Sequence, residues 1–419
     1  MTGLLTDLYE LTMAAGYFQA GKAGEQATFE LSIRRLPADR SYLILAGVEQ
    51  AIEYLLGLEF QEPEINYLRG LSAFRSVGDP FWDYLRTFRF TGDLWAAPEG
   101  TPVYAGEPVV RVTAPLPEGQ IPETYLLAAI TFQTLVATKA SRMVGAAGGR
   151  AVVEFGTRRA HTAEAGVLGA RAAYIGGCIG TSNVEAGYRF GIPVYGTSAH
   201  SWVLAFPSER EAFARLHEVL GEGTVYLVDT YDTEQGVRSA AATGGRFWGV
   251  RLDSGDLLAE SRRARAILDE AGCREARIMA SGDLNEHRIG ELVRAGAPID
   301  TFGVGTELAT SADAPSMGSI YKLVEIESRP AAKFSPEKAS WPGIKQVFRL
   351  ADVDIVGLAT ETYPGTSLLE PVIQGGRRVR EKESLEAMRR RAERPAGGRP
   401  VMHSRALEEL VRAVRRGVS

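Results

Sequence analysis

Residues 249–257, GVRLDSGDL, bring one arginine and two carboxylates to the end of a short apolar run. An arginine beside such carboxylates is either ordinary turn chemistry or part of a site that grips something carrying both hydroxyls and charge. Asp253 sits close enough to the apolar run to accept from sugar hydroxyls or to face a metal-bound diphosphate. Asp256, directly before a helical stretch, reads as a helix cap. Two further segments carry anion chemistry. FGVGTELATS places Gly303, Gly305 and Thr306 at a strand exit, and ASGDLNEHRI places Ser281, Gly282 and Asp283 at another. Glycines let backbone N–H groups approach a phosphate closely, and a following helix start adds a favourable dipole. Asp283 also reads as a cap for the segment after it.

Among five histidines, His200 stands out because it closes the apolar-to-polar segment IPVYGTSAH, where an imidazole can act as nucleophile or proton carrier. Phe155, Arg158 and Arg159 form an aromatic and cationic group in EFGTRR. No His-x-x-x-His pair or His/Cys cluster points to a transition metal, and no G-x-S-x-G elbow points to a serine hydrolase.

These residues need elements to gather them. From about residue 150 the chain alternates short apolar runs with helical spacing: AVVEF, GCIGT, IPVYG, VYLVD, FWGVR, ARIMA and IDTFGVG, each ending in polar residues. Seven strand–helix units with polar exits predict a parallel α/β barrel over 121–318, since every strand then opens on one face. The other arrangement with polar strand exits is an open doubly wound sheet. Residues 1–120 predict a smaller α/β domain. In it are a helix over 4–18, an alternating half-buried strand at TFELSIRR, a helix over 42–56 and short strands over 93–113. Residues 319–419 hold SIYKLVEI and KQVFRLADV, strands that can rejoin the N-terminal domain, and an arginine-rich stretch over about 381–419 that reads as a solvated surface helix with Leu385, Met388 and Ala392 on its apolar face.

Composition narrows the function. The 419 residues are 45% hydrophobic and 24% charged with a net charge of -5, which suits an ordinary soluble globular protein and disfavours a nucleic-acid binder. No apolar run reaches the length of a membrane span. The first residues lack the basic start of a secretory signal. Two distant cysteines, Cys178 and Cys273, make no disulfide framework, so a cytoplasmic location is expected.

Taken in order, TDLYELTMAAGYF, FELSIRRLP, EFGTRRAH, GTSNVEAGYRFGIPVYGTSAHSW, LVDTYDT, GVRLDSGDL, SGDLNEHRI and FGVGTELATS resemble the nicotinate phosphoribosyltransferase family over almost the whole chain. The resemblance implies an irregular α/β barrel with an N-terminal α/β domain, and a homodimer with a shared active site. It also implies ATP-coupled formation of nicotinate mononucleotide and pyrophosphate from nicotinate and phosphoribosyl pyrophosphate, with magnesium carried on the diphosphate and no metal site formed by the protein alone. By the same resemblance His200 is phosphorylated transiently, and Asp229 steadies it or the magnesium-bound diphosphate. Arg251 faces nicotinate and Asp253 the ribose. Ser281, Gly282, Asp283, Gly303, Gly305 and Thr306 hold the 5′-phosphate and nearby hydroxyls. Phe155 and the partner's Tyr9 sandwich the pyridine ring, and Arg158 meets phosphate or ring. The related nicotinamide enzymes carry an acid in the turn that here reads Thr181-Ser182-Asn183. A turn without an acid favours a carboxylate substrate. The alternatives are a nicotinamide or quinolinate enzyme of the same fold, and a barrel that binds nucleotides without catalysis.

Overall fold

A computed structural model describes residues 2–335, 340–393 and 397–418. The chain divides into two compact units, Met1–Leu135 with Ser316–Ser419, and Val136–Pro315.

The first unit is built on strand Gln26–Arg35. It pairs antiparallel with Pro108–Pro115 on one side and with Gly318–Ile326 on the other. The C-terminal segment therefore does return, and Glu370–Gln374 adds to the same seven-stranded sheet beside Asp93–Ala96. Lys345–Arg349 does not join it. That strand forms a separate four-stranded sheet with Asp354–Leu358, Thr366–Ser367 and Val401–His403. The alternation of Phe29, Leu31 and Ile33 is real, but the strand is not half-buried. Its other face is covered too, because Thr28 meets Thr113 (3.0 Å) and Glu30 is neutralised by Lys345 (2.9 Å). The first helix starts later than expected, at Leu8–Gln19, where Asp7 and Glu10 form a capping box. Residues 42–56 split into strand Leu43–Ile44 and helix Val48–Leu56. Gly47 makes the break at φ +95°, and a side chain there would strike the Ala129 carbonyl.

The second unit carries the site. Its six strands are β1 (Ala151–Glu154), β2 (Gly180–Thr181), β3 (Val225–Leu227), β4 (Gly249–Leu252), β5 (Arg277–Ala280) and β6 (Thr301–Val304). All pairs are parallel, in the order β2-β1-β6-β5-β4-β3. The helices used below are α1 (Glu123–Ala146), α2 (Val184–Phe190), α3 (His200–Leu204), α4 (Leu257–Glu270), α5 (Glu286–Arg294) and α6 (Thr306–Ala309). The seventh expected strand is absent. Residues 192–198 make a single bridge, Thr181 to Val194, and then run irregularly to His200. Pro193 removes a ladder donor there, which explains why the apolar run does not extend as a strand. The barrel is irregular for this reason: among the described residues no ladder joins β2 to β3.

Strand interiors are mostly apolar and buried, as a parallel sheet covered on both faces requires. The exits point one way because the strands do. Side chains some 150 residues apart in sequence thus reach one rim.

Candidate active site

A cavity of about 400 Å³ opens at the strand exits, lined by Phe155, Arg158, Ser182, Tyr195, Thr197, His200, Arg251 and Asp253, among others. Three strands and the irregular segment before α3 supply these groups.

Arg251 leaves β4 and is held by three acceptors. Its Nε donates to Ser281 Oγ (2.8 Å), one terminal nitrogen to Thr197 Oγ1 (2.9 Å) and the other to Asp253 Oδ1 (2.7 Å). The guanidinium carbon lies 5.8 Å from the centre of the Phe155 ring. Asp253 also accepts from Ser281 Oγ (2.6 Å). Burial pushes the Asp253 carboxyl up, but the Ser281 hydroxyl and the Arg251 guanidinium more than offset this and leave it below the usual carboxylate range. Ser281 is thus a bridge between β4 and β5, and it is buried behind the cavity rather than lining it.

His200 begins α3, and its Nε2 lies 3.2 Å from Asp229 Oδ1. The other Asp229 oxygen accepts from the Asp253 backbone N–H (3.0 Å) and from Ser254 Oγ (2.7 Å). Asp229 is 3% exposed and His200 43%. A buried carboxylate therefore holds one ring nitrogen, while the imidazole faces the cavity.

Arg158 differs from Arg251. It sits in the 3₁₀ turn Thr157–Arg159, exposed, and among the described residues no ion pair or hydrogen bond engages its guanidinium. Ser182 lines the cavity as well. Thr181 does not. It is fully buried, its hydroxyl donates to Glu154 Oε2 (2.5 Å), and it accepts from the Asn183 N–H (2.9 Å). Thr181 thus supports the turn. Asn183 caps α2.

The turns after β5 and β6 lie on the same edge of the sheet but outside the cavity lining. Gly282 has φ +91°, and a side chain there would collide with the Asp253 carbonyl. Asp283 adopts φ +45° and does not cap α5; Asn285 does, accepting from the Arg288 N–H (2.9 Å). Two residues separate Asp283 from the helix start, which is why the capping expectation fails and leaves its exposed carboxylate available. Gly303 is glycine for packing: a Cβ would lie 2.7 Å from the Phe155 ring, so its lack of a side chain seats the ring. Gly305 precedes α6, and Thr306 opens it. Asp256 caps α4 as expected, accepting from the Leu258 and Ala259 N–H groups. Tyr9 belongs to the other unit, exposed on helix Leu8–Gln19, and is not among the cavity-lining residues.

The sequence alone did not reveal Thr197, Ser254 or Glu154. Thr197 lies in the same GTSAH segment as His200. Glu154 is 2% exposed and accepts from the Gly156 N–H and the Thr181 hydroxyl, tying the exits of β1 and β2. Its signal was present: one acid inside an otherwise apolar strand.

Residues 4–131 match the nicotinate phosphoribosyltransferase N-terminal domain, and residues 151–349 match the nicotinate phosphoribosyltransferase family. A nicotinate phosphoribosyltransferase of Mycobacterium tuberculosis is 46% identical over 90% of this chain and 83% of its own. One of Bacillus subtilis is 47% identical over 83% of this chain and 73% of its own. The crystal structure of human nicotinic acid phosphoribosyltransferase superimposes with a TM-score of 0.87 at 26% identity, covering 98% of this chain and 99% of that one. The chain belongs to the nicotinate phosphoribosyltransferase family.

Proposed function

We propose that this protein joins nicotinate to phosphoribosyl pyrophosphate. The ring nitrogen of nicotinate attacks C1 of the sugar, the C1–O bond to pyrophosphate breaks, and nicotinate mononucleotide and pyrophosphate leave. The observation that carries this reading is the Arg251–Asp253–Ser281 group held beside an open Arg158 and an Asp229-anchored His200. No protein base is required, since the pyridine nitrogen is already a free nucleophile. Catalysis then consists of positioning and of neutralising charge on the leaving group.

Asp253 is fixed as an ionised acceptor for ribose hydroxyls. Arg158, with no partner among the described residues, suits the carboxylate or a phosphate. Arg251 spends three donors on protein and keeps Phe155 in place beneath the ring. The turns Ser281–Gly282–Asp283 and Gly303–Gly305–Thr306 suit the 5′-phosphate and the hydroxyls near it. Among the described residues no group of three His, Cys, Asp or Glu side chains could hold a metal. A magnesium ion carried on the diphosphate would neutralise the leaving group.

In the same reading ATP hydrolysis is coupled through His200. Asp229 holds the Nε2 proton, which leaves the Nδ1 lone pair to attack the γ-phosphorus. The bond to the β-bridging oxygen breaks and ADP departs. Water later cleaves the phosphohistidine to phosphate. A phosphoryl group on His200 would alter the charge facing the diphosphate.

We further propose a homodimer in the cytoplasm, in which the partner's Tyr9 closes over the pyridine ring. Leu5, Leu8, Tyr9 and Met13 expose apolar surface at the start of the first unit, which supports burial by a second copy. No helix among the described residues is long and apolar enough to cross a membrane.

The test is a product assay on the purified chain with phosphoribosyl pyrophosphate, magnesium and ATP. Nicotinate should yield the mononucleotide, and ATP should be consumed only when both other substrates are present. Preferential use of nicotinamide, or binding of nucleotides without turnover, would overturn the reading.

A further inference from the structure

Lys139, on α1, is buried without any part in the chemistry above: its side chain is 2% exposed. Its ammonium lies 2.7 Å from Glu286, 2.9 Å from Asp313 and 3.4 Å from Glu307. Arg142, three residues on, pairs with Glu286 (2.9 Å) and Asp313 (2.7 Å). Two cations on one helix thus hold three carboxylates from three other places: the first turn of α5, the first turn of α6, and the loop after α6.

The positions of these acids give the cluster meaning. Glu286 opens α5, three residues after Asp283. Glu307 directly follows Thr306 in α6. The two helices that follow the proposed phosphate turns are therefore gripped by one ammonium. Backbone N–H groups from separate turns can share one phosphate only if both turns hold their relative position to within about half an ångström. The β5–β6 ladder fixes the strands before the turns, through Met279 with Thr301 and Ala280 with Phe302. Nothing in that ladder reaches the helices after them, whereas Lys139 contacts an acid on each. Burying an ammonium among acids is a poor way to gain stability alone, because desolvation offsets most of the attraction. It is a good way to impose one geometry.

We infer that Lys139 is a positioning residue for the phosphoribosyl end of the site: by locking the starts of α5 and α6 together it sets the affinity for phosphoribosyl pyrophosphate without touching it. This rests on assigning the turns at 281–283 and 303–306 to the sugar phosphate.

The test compares KM values for the two substrates in Lys139→Met, Glu307→Gln and Asp283→Asn, each assayed well below its own Tm. Lys139→Met should raise KM for phosphoribosyl pyrophosphate by about tenfold or more, with KM for nicotinate within about twofold. Glu307→Gln, a milder change at a side chain 32% exposed, should raise the same KM by about three- to fivefold with little change in Tm. It decides the matter should Lys139→Met fail to fold. A lower Tm with both KM values unchanged, or both KM values rising in parallel, would overturn the inference. Asp283→Asn keeps the left-handed turn and removes only the charge. If it leaves KM for phosphoribosyl pyrophosphate unchanged, the turn assignment fails, and the inference fails with it. If it raises that KM while the other two variants do not, only the role of Lys139 fails.

Discussion

Two arginines at the same rim are treated in opposite ways by the fold. Arg251 is tied to Ser281, Thr197 and Asp253, and its plane lies near Phe155. Arg158, on an exposed 3₁₀ turn, has no protein acceptor among the described residues. The first is part of the wall and the second is a free hand. A residue type that recognises anions does so with the donors its neighbours leave unused. By that measure Arg158, not Arg251, has the greater capacity for a substrate carboxylate or phosphate.

The largest effect should come from breaking the wall. Arg251→Met strips partners from Asp253, Ser281 and Thr197 together. Losing one member of a hydrogen-bonded charge pair costs about 3–5 kcal/mol when it is buried; this half-buried site should lose somewhat less. We expect kcat/KM to fall by about 100-fold or more, with a lower Tm, read by steady-state kinetics and thermal melts. Arg158→Met should lower kcat/KM by about 10- to 100-fold, the worth of a charge-assisted contact, and leave Tm unchanged. A Tm loss in Arg158→Met, or none in Arg251→Met, would reverse the comparison. Next is Ser182→Asp, which sets an acid at the same opening. KM for nicotinate should rise by about tenfold through repulsion, with no such rise for nicotinamide. An unchanged nicotinate KM would move the carboxylate elsewhere.

The smallest effect concerns pH. The folded-state pKa of Asp253 is lowered, so its contribution to stability is complete above its unfolded value, near 3.9, and is lost as pH falls through the folded value. Asp253→Asn should therefore flatten the acid limb of the stability curve below about pH 4 and leave its slope near neutrality unaltered. Denaturant melts at several pH values read this directly. An acid limb as steep as that of the unmodified protein would show that Asp253 is not stabilised by Arg251.

Much of this arrangement was legible in the sequence, because strand exits announce themselves as apolar runs ending in polar residues. Arg251, Asp253 and His200 were found that way. The misses have local causes. Residues 192–198 looked like a strand by hydropathy, but Pro193 and the approach to His200 deny it a ladder. Thr181 stands in a polar turn, but the partner that claims its hydroxyl, Glu154, lies 27 residues away in sequence. Gly303 reads in the sequence as part of a phosphate turn, and the fold adds a packing role that no local pattern shows, since a Cβ there would meet the Phe155 ring. Periodicity reports the face of an element, whereas the partner of a polar side chain depends on pairings that no local pattern carries.

If transfer at the cavity is coupled to energy input at His200, as proposed, a single ratio tests both. ADP formed per nicotinate mononucleotide should be measured in the unmodified protein and in His200→Ala. ADP and mononucleotide should rise in step in the first, whereas the variant should make mononucleotide slowly with no ADP. ADP still rising in step with product in the variant, or no mononucleotide from the unmodified protein, would contradict the account.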